Sequence, residues 1–158
     1  MPLKVDTDTV AILGILDSTT GEYIKYDMVK ELEVNEYKLE EQMSTQASKY
    51  AYYSSIANVA ERNERAKTDA LEVAEAQAEI TARSMFASQG VAKPTVGQIN
   101  SAISLDTTVI EAKNQVSEAK GYTGTMKYIL KALDQRKDML VNLSAQKRKS
   151  LELTGRPQ

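Results

Sequence analysis

From Glu22 to Gln89 the chain runs for 68 residues without a glycine or a proline. Within that window Leu32, Leu39, Met43, Tyr50, Tyr53 and Ala57, then Leu71, Ala74, Ala78 and Met85, recur in steps of three, four and seven. Those steps return to one face of a helix. The pattern predicts a long helix over residues 27–88, with Asp27 as N-cap and Gly90 as the stop. At about 1.5 Å per residue such a helix is roughly 90 Å long. The stripe thins at "ERNERAKTD", Glu61 to Asp69, where Ala66 alone is apolar. Two readings stand there: a solvated stretch of continuous helix, or a break restarting at Asp69 with Glu72 closing a capping box.

The punctuation gathers in "GVAKPTVGQINSAISLD", Gly90 to Asp106. Pro94 ends any helix and pushes Lys93 toward an extended backbone. Thr95 with Gln98 has capping-box spacing, and Val96, Ile99 and Ile103 mark a short helix. Asp106 is a second N-cap. The pattern then resumes through Val109, Val116, Ala119, Met126, Leu130, Leu133, Leu140 and Leu151. Gly121 and Gly124 interrupt it, at about 1 kcal/mol each against alanine, as a bend or as the close approach of another backbone. Gly155-Arg156-Pro157 closes the chain.

The expected fold is all-α. Residues 1–26 form an N-terminal segment containing the apolar run Val10–Leu16, and residues 27–158 form a helical hairpin. Its parts are a long helix at 27–88, a corner with a short helix at 89–105, and a second long helix at 106–154. Two narrow stripes enclose little core. Tyr50, Tyr52, Tyr53, Ile56 and Val59 spread around the first helix, and Tyr122, Met126, Tyr128, Ile129, Leu130 and Leu133 spread around the second. A lone hairpin leaves some of this surface wet, so a closed homo-oligomer is expected.

Composition narrows the chemistry. The chain has no Cys, no His and no Trp, against eight Tyr. That removes disulfides, thiolate nucleophiles, Cys/His zinc sites and histidine bases. Carboxylate pairs such as Glu40-Glu41 sit as on any solvated helix face, and "GYTGT" at Gly121 lacks the lysine of a phosphate loop. No enzyme activity, cofactor or metal site is expected. The apolar run is too short for the roughly 20 residues of a membrane span, and its acidic flank is unlike a signal peptide. An intracellular, cytoplasmic protein with no membrane partner is expected.

Charge adds an asymmetry. Residues 1–111 carry 10 basic and 18 acidic side chains, a balance of −8, whereas residues 112–158 carry 10 and 4, a balance of +6, giving the chain's −2. A basic tail fits an anionic ligand or head-to-tail contacts. The cations are Lys127, Lys131, Arg136, Lys137, Lys147, Arg148 and Lys149, with Arg62, Arg65, Lys67 and Arg83 on the first long helix. Tyrosines lie among them, the combination that single-stranded nucleic-acid surfaces use. Helix-terminal charge and interhelical packing are the simpler account of each of these residues taken alone.

Two segments carry a family resemblance. "LEEQMSTQASKYAYYSSI" from Leu39 resembles the Leu-then-Tyr-x-x-aromatic stretch of the UvsY-type recombination mediators of tailed phages. "TARSMFASQG" from Thr81 is similar to their Lys-Ala-Arg segment, through Ala82, Arg83, Phe86, Ser88 and Gly90, with Thr81 standing in place of the lysine. The resemblance implies an all-helical protein, cytoplasmic in an infected host cell, that forms rings and acts in DNA recombination and repair. Such proteins bind single-stranded DNA, help displace the single-strand binding protein and load a RecA-type recombinase; Arg83 would contact the DNA backbone. The rival expectation is a structural or scaffolding oligomer, a virion component or assembly chaperone, indifferent to nucleic acid.

Overall fold

The computed structural model describes residues 12–16 and 21–154. The chain is mostly helical, with two long helices and one small sheet. Strand β1 (Ile12–Leu16) pairs antiparallel with β2 (Tyr23–Asp27), Ile12 opposite Asp27 and Leu16 opposite Tyr23. Helix α1 (Met28–Leu32), a 3-10 turn (Glu36–Lys38), α2 (Leu39–Ser88), α3 (Val96–Leu105) and α4 (Thr107–Thr154) follow. Of the expected apolar run, Val10 and Ala11 lie outside the described residues, as does the Gly155-Arg156-Pro157 end. Among the described residues no helix is long and apolar enough to cross a membrane.

The long first helix is corrected at its start. Asp27 is the N-cap expected of it, accepting from the Val29 and Lys30 amides, but α1 ends at Leu32. Asn35 then caps a new turn by accepting from the Tyr37 amide. Three long side chains hold this link. Gln42 accepts from the Asn35 amide at 2.9 Å and donates to the Glu33 carbonyl at 3.1 Å. Lys49 donates to the Glu31 carbonyl at 3.2 Å, and the Arg136 Nε donates to the Glu33 carbonyl at 3.2 Å. Backbone groups that a continuous helix would satisfy find side-chain partners here.

From Leu39 onward α2 is unbroken through Glu61–Asp69, so the solvated-helix reading holds there. It stops as its sequence dictates. Gly90 has a φ of 81°, the left-handed region that favours glycine. Its amide donates to Ala87, and the Val91 amide donates to Phe86 at 2.9 Å, which together make a Schellman stop. Thr95 and Gln98 form the expected capping box, and the Asp106 carboxylate accepts from the Thr108 and Val109 amides to start α4. α4 continues without interruption through Gly121 and Gly124, and a Cβ at either would meet nothing within 4 Å. Neither glycine admits a neighbouring backbone.

The chain divides into two compact units: residues 1–59 with 124–158, and residues 60–123. The first unit buries Leu13, Ile15, Met28, Leu39, Tyr53, Ile56, Met126, Ile129, Leu133 and Leu140. Of the aromatic residues spread around the two helices, Tyr53 is buried within this unit, whereas Tyr52 and Tyr128 are exposed. The ring of Tyr26 on β2 lies 5.9 Å from those of both Tyr52 and Tyr53, which are 5.4 Å from each other. The second unit has a smaller core of Ala60, Ala78, Ala82, Ile99, Val109, Val116 and Ala119. There Lys113 of α4 meets Glu75 of α2 at 3.3 Å.

Candidate nucleic-acid interface

The cations singled out in the sequence separate by environment. In the first unit, Lys127 and Lys131 are exposed one helical turn apart on α4, with the 76 % exposed Tyr128 beside them. Spacing of four puts the two lysines on one face, and spacing of three sets Lys131 beside the ring. Lys137 is exposed too, but Asp134 and Asp138 each lie 3.7 Å from its Nζ. Two carboxylates at that distance offset its charge.

Lys147, Arg148 and Lys149 are exposed in the last turns of α4. Lys147 lines a cleft of about 540 Å³ with Glu36, Tyr37, Leu39, Leu143, Gln146 and Ser150. Tyr37 is 88 % exposed. A bare aromatic face next to an ammonium group and hydroxyl and amide side chains is chemistry suited to a nucleotide: the ring offers a stacking surface, and the lysine a phosphate contact. Sequence reading missed Tyr37. Its signal was its place, off the Leu32–Leu39 stripe and directly behind the Asn35 cap.

Arg136 departs from the surface role expected of it. It is only 4 % exposed, and its guanidinium donates to the Gln46 amide oxygen and the Glu33 carbonyl. Gln46 in turn donates to the Leu133 carbonyl at 2.8 Å. Burial disfavours the charged form and lowers the pKa of Arg136, an effect that the Glu31 carboxylate opposes. Arg136 therefore belongs to the interior of this unit. A second cleft, of about 400 Å³, is lined mainly by Met43, Ala47, Tyr50, Leu140 and Val141.

In the second unit Arg62 and Arg65 are exposed, three residues apart on α2. Lys67 is half-buried and donates to the Gln115 side chain at 2.9 Å, a packing role. Arg83 is exposed and bound to its own helix, its Nε and Nη2 reaching one Glu79 oxygen at 2.9 and 2.6 Å. Among the described residues no cluster of three acidic side chains could hold a metal ion. No family model, curated protein or solved structure matches the chain.

Proposed function

We propose that this protein binds single-stranded DNA as an oligomeric recombination mediator, helping to displace single-strand binding protein and to load a RecA-type recombinase. The observation that carries the reading is the cleft in which exposed Tyr37 stands beside Lys147, at the end of α4 that also bears Arg148 and Lys149. Tyr128 with Lys127 and Lys131 repeats the pairing of ring and cation further back on α4. Each site alone is weak; several copies in one assembly raise the effective concentration of such contacts. Fluorescence anisotropy with a labelled oligonucleotide across a salt series tests it. Affinity should fall with salt, by a log–log slope of about 0.7 for each phosphate neutralised. No binding at low salt removes the reading.

A second reading is favoured by the neutralised cations. Arg83 pairs with Glu79, and Lys137 lies between Asp134 and Asp138. A scaffolding oligomer needs no free positive charge there. It predicts assembly that is unchanged by oligonucleotide and disturbed when Lys147, Arg148 and Lys149 are neutralised.

A further inference from the structure

In the second unit, the face of α2 turned away from its buried residues Ala60, Ala78 and Ala82 is not polar. Ala66, Ala70, Val73, Gln77, Ile80, Ser84 and Ala87 are all exposed, Val73 by 70 % and Ile80 by 63 %. Their spacing alternates four and three over three heptads, the repeat of a coiled-coil seam. The corresponding outer positions of α4 in this unit are Ile110, 44 % exposed, and then Asn114, Ser117 and Gly121, which are polar or small, so the apolar stripe there does not continue.

The seam reads nearly the same in both directions. About a two-fold axis near Gln77, Ala66 falls opposite Ala87, Ala70 opposite Ser84, and Val73 opposite Ile80. One flank of the seam carries Asp69, Ala76 and Arg83. In the antiparallel arrangement Asp69 of each copy meets Arg83 of the other, twice by symmetry, with Ala76 against Ala76 between them. The other flank brings Lys67 to Ser88 and Ala74 to Thr81, with no like charges facing. In a parallel arrangement Asp69 and Arg83 face only Ala74 and Ser88, and the complementarity is lost.

We infer that this face of α2 is an isologous interface: two copies of the chain pair antiparallel through Ala66–Ala87, registered by reciprocal Asp69–Arg83 ion pairs around Val73 and Ile80. Arg83 then takes a self-association role in place of the DNA contact that the family resemblance implies, exchanging its Glu79 partner for the second copy's Asp69. The pairing concerns how copies meet and stands whether or not the chain binds DNA.

The test is sedimentation equilibrium at micromolar concentration without nucleic acid, with circular dichroism confirming that each variant is helical. The wild-type chain should associate. Asp69→Arg and Arg83→Asp should each weaken association roughly tenfold, two attractive pairs having become two repulsive ones. Mixed in equal amounts, the two variants should pair with each other at close to wild-type affinity. Across the axis the arginine introduced in one variant then faces the aspartate introduced in the other, and the remaining native Asp69 faces the remaining native Arg83. Val73→Asp with Ile80→Asp should abolish the contact. A monomeric wild-type chain, an association that survives the Val73/Ile80 change, or a mixture no stronger than its components overturns the inference.

Discussion

The guanidinium of Arg136 donates to the amide oxygen of Gln46, ninety positions earlier, and both side chains lie inside the first unit. Each occupies a seam position. Arg136 follows Leu133 by three and precedes Leu140 by four, and Gln46 stands seven residues from both Leu39 and Tyr53. Polar residues at seam positions fix register at some cost in stability. Here the pair ties α2, α4 and the Glu33 carbonyl of the α1–α2 link into one network.

Arg136→Ala should therefore destabilise the protein strongly. It leaves the buried Gln46 oxygen without its donor, at about 1–3 kcal/mol for a buried group left unsatisfied, while the Glu33 carbonyl keeps the Gln42 amide. Removing both partners, with Arg136→Met and Gln46→Leu together, should recover part of that loss, because no polar atom of the pair is then stranded. Urea denaturation of the two singles and the double gives the coupling. An Arg136→Ala stability within about 0.5 kcal/mol of the parent, the range of an ordinary surface substitution, contradicts the network.

Tyr53 makes the opposite case. Its ring is among the most buried in the protein, and among the described residues its hydroxyl has no hydrogen-bond partner. Burial first, and the Glu31 carboxylate second, push its pKa far above the usual phenol value. Glu31 itself is held by Lys49 at 2.7 Å. Tyr53→Phe keeps the ring contacts with Tyr26 and Tyr52 and removes an unsatisfied hydroxyl, so stability should rise by about 1 kcal/mol. A thermal melt checks the sign; a lower midpoint would mean that the hydroxyl has a partner, with Glu31 the first candidate.

The helical framework was legible because its signals are local. Asp27, Thr95, Gln98 and Asp106 act as the caps their spacing predicts, and Gly90 adopts the backbone only glycine enters readily. Val109, Val116, Met126, Leu133 and Leu140 are buried as their period requires. What failed depends on contacts far apart in sequence. The break after Leu32 is held by Gln42, Lys49 and Arg136. The β-hairpin is too short to announce itself, yet Tyr26 on it packs against Tyr52 and Tyr53 of α2. Charge alone puts Arg136 among the surface cations, whereas its spacing from Leu133 and Leu140 places it on the buried stripe.

Gly124 sits inside α4 with open space where a side chain would begin. Alanine loses less backbone entropy on folding, so Gly124→Ala should stabilise the protein by up to about 1 kcal/mol. The denaturant midpoint should rise with an unchanged slope. A fall would show that α4 needs a bend at that position.

Besides Tyr53, two phenols make stability sensitive to alkali. Tyr26 is pushed up to about 12 by burial and then by its hydrogen bond with Tyr52, and Tyr122 to about 12 by burial and then by its bond to Glu118. Both folded values lie above the unfolded phenol value of about 10. The folded state thus holds these protons more tightly, and its advantage is complete below about pH 10 and lost as pH climbs toward 12. Denaturant midpoints measured across that window should fall, and fall less in Tyr26→Phe and Tyr122→Phe. Equal falls in parent and variants would assign the alkaline loss to other groups.

Stacking and charge at the Tyr37–Lys147 cleft leave different marks on binding. An aromatic ring under a base contributes about 1–3 kcal/mol and releases no counterions. Tyr37→Ala should thus weaken oligonucleotide binding roughly tenfold while leaving the salt slope unchanged. Lys147→Ala should reduce the slope by about 0.7, the share of one phosphate contact on a single strand. Arg136→Met together with Gln46→Leu is the control, since a buried guanidinium offers nothing to a phosphate and the slope should hold. Anisotropy titrations at several salt concentrations separate the three. If Tyr37→Ala binds like the parent, the cleft is not where bases stack, and Tyr128 with Lys131 becomes the remaining place on α4 for single-stranded DNA.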